Sequence, residues 1–121
     1  MKFIITLVML LLLLSGCYYD KEELLYGVNL PCDTASVTFS ATVNSILDRN
    51  NCLNCHSGNN PSANINLQGY ANARAAAGGG RLIGSINHAA GFSPMPQGGN
   101  KMSACDINKI KAWIDGGMIN N

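Results

Sequence analysis

Hydrophobic and polar positions divide the chain into blocks of different period. Phe3 to Leu14 is apolar at every position except Thr6. Between Ser36 and Asn50, Phe39, Val43, Ile46 and Leu47 recur at i, i+4, i+7 and i+8, the stripe of an amphipathic helix. This predicts a helix over 36–50, capped by Ser36 or Ser40 and ended by Asn50-Asn51. The alanine-rich stretch 70–77 predicts a short helix closed by Gly78-Gly79-Gly80, and 81–88, with Leu82, Ile83 and Ile86, predicts another. Ile107, Ile110, Trp113 and Ile114 form a last helical stripe, opened by Ser103 with Asp106 in its first turn and ended by Gly116-Gly117. The intervening 58–66 holds Pro61 in a polar loop, and 91–100 holds Pro94, Pro96, Gly98 and Gly99, which exclude regular structure. The expectation is an all-α domain of three to five helices with long loops, no convincing strand and no internal repeat.

The apolar run near the start follows a basic Met1-Lys2 and is too short for the roughly 20 residues of a spanning helix. With Ser15-Gly16 behind it, it reads as a secretory signal peptide over 1–16, the alternative being a short membrane anchor. Leu14-Ser15-Gly16-Cys17 resembles a bacterial lipobox, which implies lipidation of Cys17 after cleavage. Several acyl chains anchor a protein stably, at about 0.8 kcal/mol per buried methylene. Residues 17–35 then serve as a lipidated tether and lead-in loop, and 36–121 as the folded domain. Lys21-Glu22-Glu23 resembles an export signal of surface lipoproteins; the plainer reading is a solvated tether. The chain is expected outside the cytoplasm, attached to an outer membrane and facing the periplasm or the cell surface.

Composition narrows the function. Eight basic and seven acidic residues in 121 give a formal net charge of +1, and removing residues 1–16 takes away Lys2 alone. Such balance argues against nucleic acid as a partner. Only 7% of residues are aromatic while Gly numbers 13, which suggests a thin core in need of a staple or a cofactor.

Cys52-Leu53-Asn54-Cys55-His56 is a C-x-x-C-H sequence, the attachment signature of c-type haem. Two thiols three positions apart project from one side of one turn, where both can add to the vinyl groups of one porphyrin edge. The adjacent His56 then reaches the iron. A zinc knuckle, a thioredoxin-like redox pair and a structural disulfide use the same Cys spacing. Zinc lacks a second ligand pair here, and the redox pair lacks a preceding strand.

With these residues in view, the chain from 36 to 121 resembles a small class I cytochrome c domain. A helix precedes the attachment motif, Ser93-Pro94-Met95-Pro96-Gln97-Gly98-Gly99 resembles the family's Met-Pro ligand loop, and an aromatic-bearing helix closes the chain. Cys55-His56-Ser57-Gly58 beside the Pro94-Met95-Pro96 loop is similar to lipoprotein cytochromes. The resemblance implies a cytochrome c-like fold around one covalent haem c, with His56 and Met95 as axial iron ligands and Cys52 and Cys55 as attachment points. Prolines on both sides of Met95 lower the entropy of the loop that would present it. His88, Met102 and an open sixth site are the alternatives; Met118 is expected to be peripheral.

If lipid takes Cys17 and haem takes Cys52 and Cys55, Cys32 and Cys105 remain, and export keeps such a pair oxidised. A Cys32–Cys105 bridge is expected, against two free thiols or an intermolecular bond. Leu47, Leu53, Leu67, Tyr70, Leu82, Ile86, Ile110 and Trp113 are the expected core and haem-pocket residues. Arg74, Arg81 and Lys101 are candidates for propionate pairing against a default of plain surface charge. No acid/base pair or nucleophile constellation is evident, so the expected role is electron transfer between redox donor and acceptor proteins, as a monomer and not as a stand-alone enzyme. The alternative is a haem sensor or peroxidase-like enzyme with an exchangeable sixth ligand.

Overall fold

The computed structural model describes residues 31–121, a compact unit running from Pro31 to Asn121. Residues 1–30, with the expected signal peptide, Cys17 and most of the expected tether, lie outside the described residues. Among the described residues the regular elements are all helical, as the periodicity predicts. No helix among them is long and apolar enough to cross a membrane.

The first helical segment opens with a π-helical turn, Phe39–Val43, and continues as α1, Asn44–Arg49. Its cap is Thr38 and not Ser36 or Ser40: the Thr38 side chain accepts from the Ala41 N–H. The wide turn shows in the Val43 N–H, which donates five residues back to the Thr38 carbonyl at 3.0 Å. First-turn amides have no partner inside a helix. Here Phe39 N–H donates to Asn121 Oδ1 at 2.9 Å and Ser40 N–H to the Asn121 carbonyl at 3.0 Å, so the end of the chain caps its first helix. All four residues of the predicted stripe are buried.

The last helix, α5 (Ala104–Asp115), follows a short α2 (Cys52–Cys55), α3 (Tyr70–Gly78) and α4 (Arg81–Ile86). Ser103 caps α5 by accepting from the Asp106 N–H at 3.1 Å, as its position predicts. The α5 stripe buries Ile107, Ile110 and Trp113 against the π-helical turn and α4. Phe39 links the layers, its ring 5.3 Å from Tyr70 edge-on and 5.5 Å from Trp113. Both ring partners of Phe39 also satisfy their polar atoms: Trp113 Nε1 donates to the Ile119 carbonyl at 2.9 Å and Tyr70 Oη to the Met118 carbonyl at 2.8 Å. An Arg49–Asp106 ion pair joins the end of α1 to the first turn of α5.

Between α3 and α4 the chain reverses at Gly80, whose φ of +72° suits glycine. Ala73 and Ala77 form the buried face of α3, where small side chains allow close approach. Helix α4 stops at Ile86 and not at His88, because His88 has a left-handed φ of +55° that no right-handed helix can include. Of the expected core, Leu53 and Tyr70 are only half-buried, whereas Phe39, Val43, Ile46, Ile107 and Met102 join the interior. Burying a large aliphatic or aromatic side chain contributes about 1.5–3 kcal/mol, so this interior is the main stabilising term.

Candidate functional site

Asn51 separates α1 from α2 with a left-handed φ of +58°, a conformation Asn tolerates better than most residues. The four residues that follow form a single turn, closed by His56 N–H donating to the Cys52 carbonyl at 2.9 Å. Positions three apart share a face of such a turn. Cys52 is half-buried and Cys55 exposed, and both are free thiols. Burial pushes the Cys52 thiol above its ordinary pKa, and a backbone hydrogen bond offsets part of that rise.

His56 is buried and held from two sides by the end of the polar loop and the residue just beyond it. Its ring Nδ1 lies 3.0 Å from the Ile65 carbonyl, and its own carbonyl accepts from Leu67 N–H at 2.7 Å. A carbonyl can only accept, so Nδ1 is the donor, and in the neutral ring the lone pair falls to Nε2. This is the arrangement a metal-binding imidazole adopts, with the second nitrogen fixing tautomer and ring orientation. Asn66 Nδ2 donates to the Gly58 carbonyl at 3.0 Å and Gly58 N–H to Gln68 Oε1 at 3.2 Å, which close the loop that delivers Ile65. Nothing in the sequence marked Ile65, since any residue supplies a carbonyl and only loop closure selects this one.

Met95 sits half-buried between Pro94 and Pro96, with its backbone held on both sides. Its N–H donates to the Ser85 carbonyl at 3.0 Å, and its carbonyl accepts from His88 Nε2 at 3.0 Å. The exposed His88 therefore meets the backbone of the Met-Pro loop. Met102 is buried in the core, and Met118 is half-buried against it. Lys101 Nζ donates to Asn87 Oδ1 at 3.0 Å. Arg74 lines a surface recess of about 340 Å³ with Tyr70, Ala71 and Met118, and Arg81 is exposed. Cys32 and Cys105, 73 positions apart, form a disulfide with Cα atoms 5.4 Å apart, which ties the lead-in loop to the start of α5.

The structure thus gathers Cys52, Cys55 and His56 into one turn and its end, and places Met95 beside His88 at the end of α4. Among the described residues no three His, Cys, Asp or Glu side chains converge on a point that could hold a metal ion. A zinc knuckle needs such a cage. A haem iron asks the protein for axial ligands only, because the porphyrin supplies the other four. A buried imidazole with one bare nitrogen, next to two thiols on a single turn, fits that requirement. No family model, no curated protein and no solved structure matches the chain.

Proposed function

We propose that this chain is a membrane-anchored, extracytoplasmic one-electron carrier built on a single c-type haem. Cys52 and Cys55 would hold the porphyrin through thioethers, and His56 and Met95 would be the residues that supply the protein's ligands to its iron. The observation that carries the reading is the His56 Nδ1–Ile65 contact, which leaves Nε2 as the one basic nitrogen beside the paired thiols. A c-type haem with His/Met ligation supplies a ferric–ferrous couple, and a thioether ligand raises its reduction potential. The protein's own part is orientation and exclusion. The Ile65 carbonyl keeps the imidazole in one tautomer, and the two prolines limit the freedom of Met95. Redox donor and acceptor proteins are the partners, and lipid on Cys17 provides the anchor.

A sensor or peroxidase-like role would call on His88 as a free distal acid/base group. His88 Nε2 is instead engaged by the Met95 carbonyl, so the carrier reading is preferred.

Co-expression with a haem-maturation system tests the proposal. The expected product is red and keeps its pigment through denaturation and extraction with acidified organic solvent. A reduced-minus-oxidised spectrum of the denatured protein should carry the signature of saturated thioether links, and Cys52→Ser/Cys55→Ser should abolish it. A colourless mature protein, or pigment that passes into the solvent, overturns the reading. Mass spectrometry of the mature N-terminus should find acyl chains on Cys17.

A further inference from the structure

The loop from Ala89 to Lys101 has no helix or strand of its own, yet it is fastened to the end of α4 at several points. Met95 N–H reaches the Ser85 carbonyl and Lys101 Nζ reaches Asn87 Oδ1, each at 3.0 Å. The Phe92 ring lies so close over Gly84 that a Cβ there would stand 2.6 Å from it. Ala89 N–H donates to the Gly84 carbonyl at 2.9 Å, and among the described residues the one side-chain hydrogen bond to Met95 itself comes from His88 Nε2, 3.0 Å from the Met95 carbonyl. The carbonyl accepts, so Nε2 carries a proton and has no lone pair for iron. His88 also occupies the left-handed region at φ +55°, uncommon for a residue with a side chain.

We propose that His88 is a positioning residue, whose Nε2–H holds the Met95 carbonyl against the end of α4 and so keeps the Met95 thioether presented to the iron. This rests on the reading of Met95 as an axial ligand. With Ser85 on the N–H and His88 on the carbonyl, the backbone of Met95 is gripped on both of its polar groups. Two prolines stiffen the loop but contribute no hydrogen-bond donor, so they restrict its shape without tying it down. The His88 bond supplies a tie on the far side of the ligand residue. It exists only while the loop is docked, so it weights the equilibrium between docked and released Met95.

Two substitutions separate this role from general folding. Gln carries its amide nitrogen as many bonds from Cβ as Nε2 is in His, so His88→Gln can rebuild the contact. Asn tolerates the left-handed backbone but stops one bond short, so His88→Asn removes the contact while suiting the turn. Three holoproteins, wild type, H88N and H88Q, are compared by the near-infrared sulfur-to-iron band of the ferric state, by ferric affinity for imidazole at fixed pH, and by thermal unfolding. Loss of one hydrogen bond of ordinary net strength corresponds to about a fivefold change in equilibrium. H88N should bind imidazole about fivefold more tightly and lose the band at lower temperature, with its covalent haem content unchanged. H88Q should return both readouts to wild type. A wild-type band with an H88N protein that matches it in both readouts overturns the positioning role alone, as does a gain in imidazole affinity that Gln fails to reverse. A wild-type ferric protein without the band overturns Met95 ligation itself, and the positioning role with it.

Discussion

The two halves of this molecule are built on opposite principles. Where the π-helical turn, α1 and α5 meet, capped helices bring wholly apolar stripes together, and Phe39, Ile46, Ile110 and Trp113 are all buried. Around Cys52 to Leu67 and Ser85 to Lys101 the helices last one or two turns. Asn51, Ala63, Asn64 and His88 take left-handed backbone there, and the chemically distinctive side chains are held by single hydrogen bonds to loop carbonyls. The difference teaches where stability and chemistry reside. Regular helices can hide their backbone and contribute burial. Loops present imidazole, thiol and thioether groups at every depth, from the buried His56 to the exposed Cys55, and rely on the rigid half for position.

Substitutions that strike one half and spare the other test this division. The largest expected effect belongs to the cross-link. Cys32→Ser/Cys105→Ser opens a loop spanning 73 positions, which should cost about 4 kcal/mol in the chain-entropy model. Denaturant unfolding measures that loss, and free-thiol titration of the unfolded, unreduced wild-type holoprotein should find no thiols; finding two would mean that the bridge does not form. Trp113→Ala should come next, at about 3 kcal/mol, through the cavity beside Phe39 and the Ile119 carbonyl left without its donor. Its ferric near-infrared band should survive below the lowered melting temperature. Met95→Ala should do the reverse: the band disappears and the reduction potential falls, while stability to denaturant changes by only about 1 kcal/mol, because the residue is half-buried.

Ser103→Ala is a smaller scaffold effect, about 1 kcal/mol, from loss of the cap on Asp106 N–H. The smallest separates the two thiols before haem is attached. Burial raises the Cys52 pKa, so folding favours its neutral form. That contribution is present below the ordinary thiol range and fades as pH rises through the raised value. At pH about 8, iodoacetamide should therefore modify the exposed Cys55 faster than Cys52, and the gap should narrow at higher pH. Equal rates at pH about 8, followed by peptide mapping of folded protein, would contradict the burial difference.

Much of the scaffold was legible from residue order. The stripes of the first and last helices, the Ser103 cap and the glycine break after α3 all follow from periods and breakers within a few residues. Residue types alone do not single out the first cap, because three hydroxyl-bearing residues, Ser36, Thr38 and Ser40, stand within five positions. The choice fell to Thr38 once Asn121 took the Phe39 and Ser40 amides. Helix α4 ends two residues before the sequence pattern suggests, at an Asn87 cap, because the left-handed turn at His88 belongs to the loop that follows. At the candidate site Cys52, Cys55, His56 and Met95 are readable as residue types. The carbonyls that orient them, Ile65 for His56 and Ser85 for the Met95 amide, are not, since every residue has a carbonyl.

Residue order by itself determined which longer segments become helices and which side chains bring thiol, imidazole and thioether chemistry. These follow from local sterics and from the 3.6-residue period, which neighbouring residues impose on one another. Only the tertiary structure decided that Asn121 caps the first helix, that Phe39 stands between Tyr70 and Trp113, that the Ile65 carbonyl engages His56 Nδ1, and that the Met95 carbonyl engages His88. Each of these joins groups across a loop or across the whole chain. Such contacts form only when the burial of several stripes at once has brought distant backbone together.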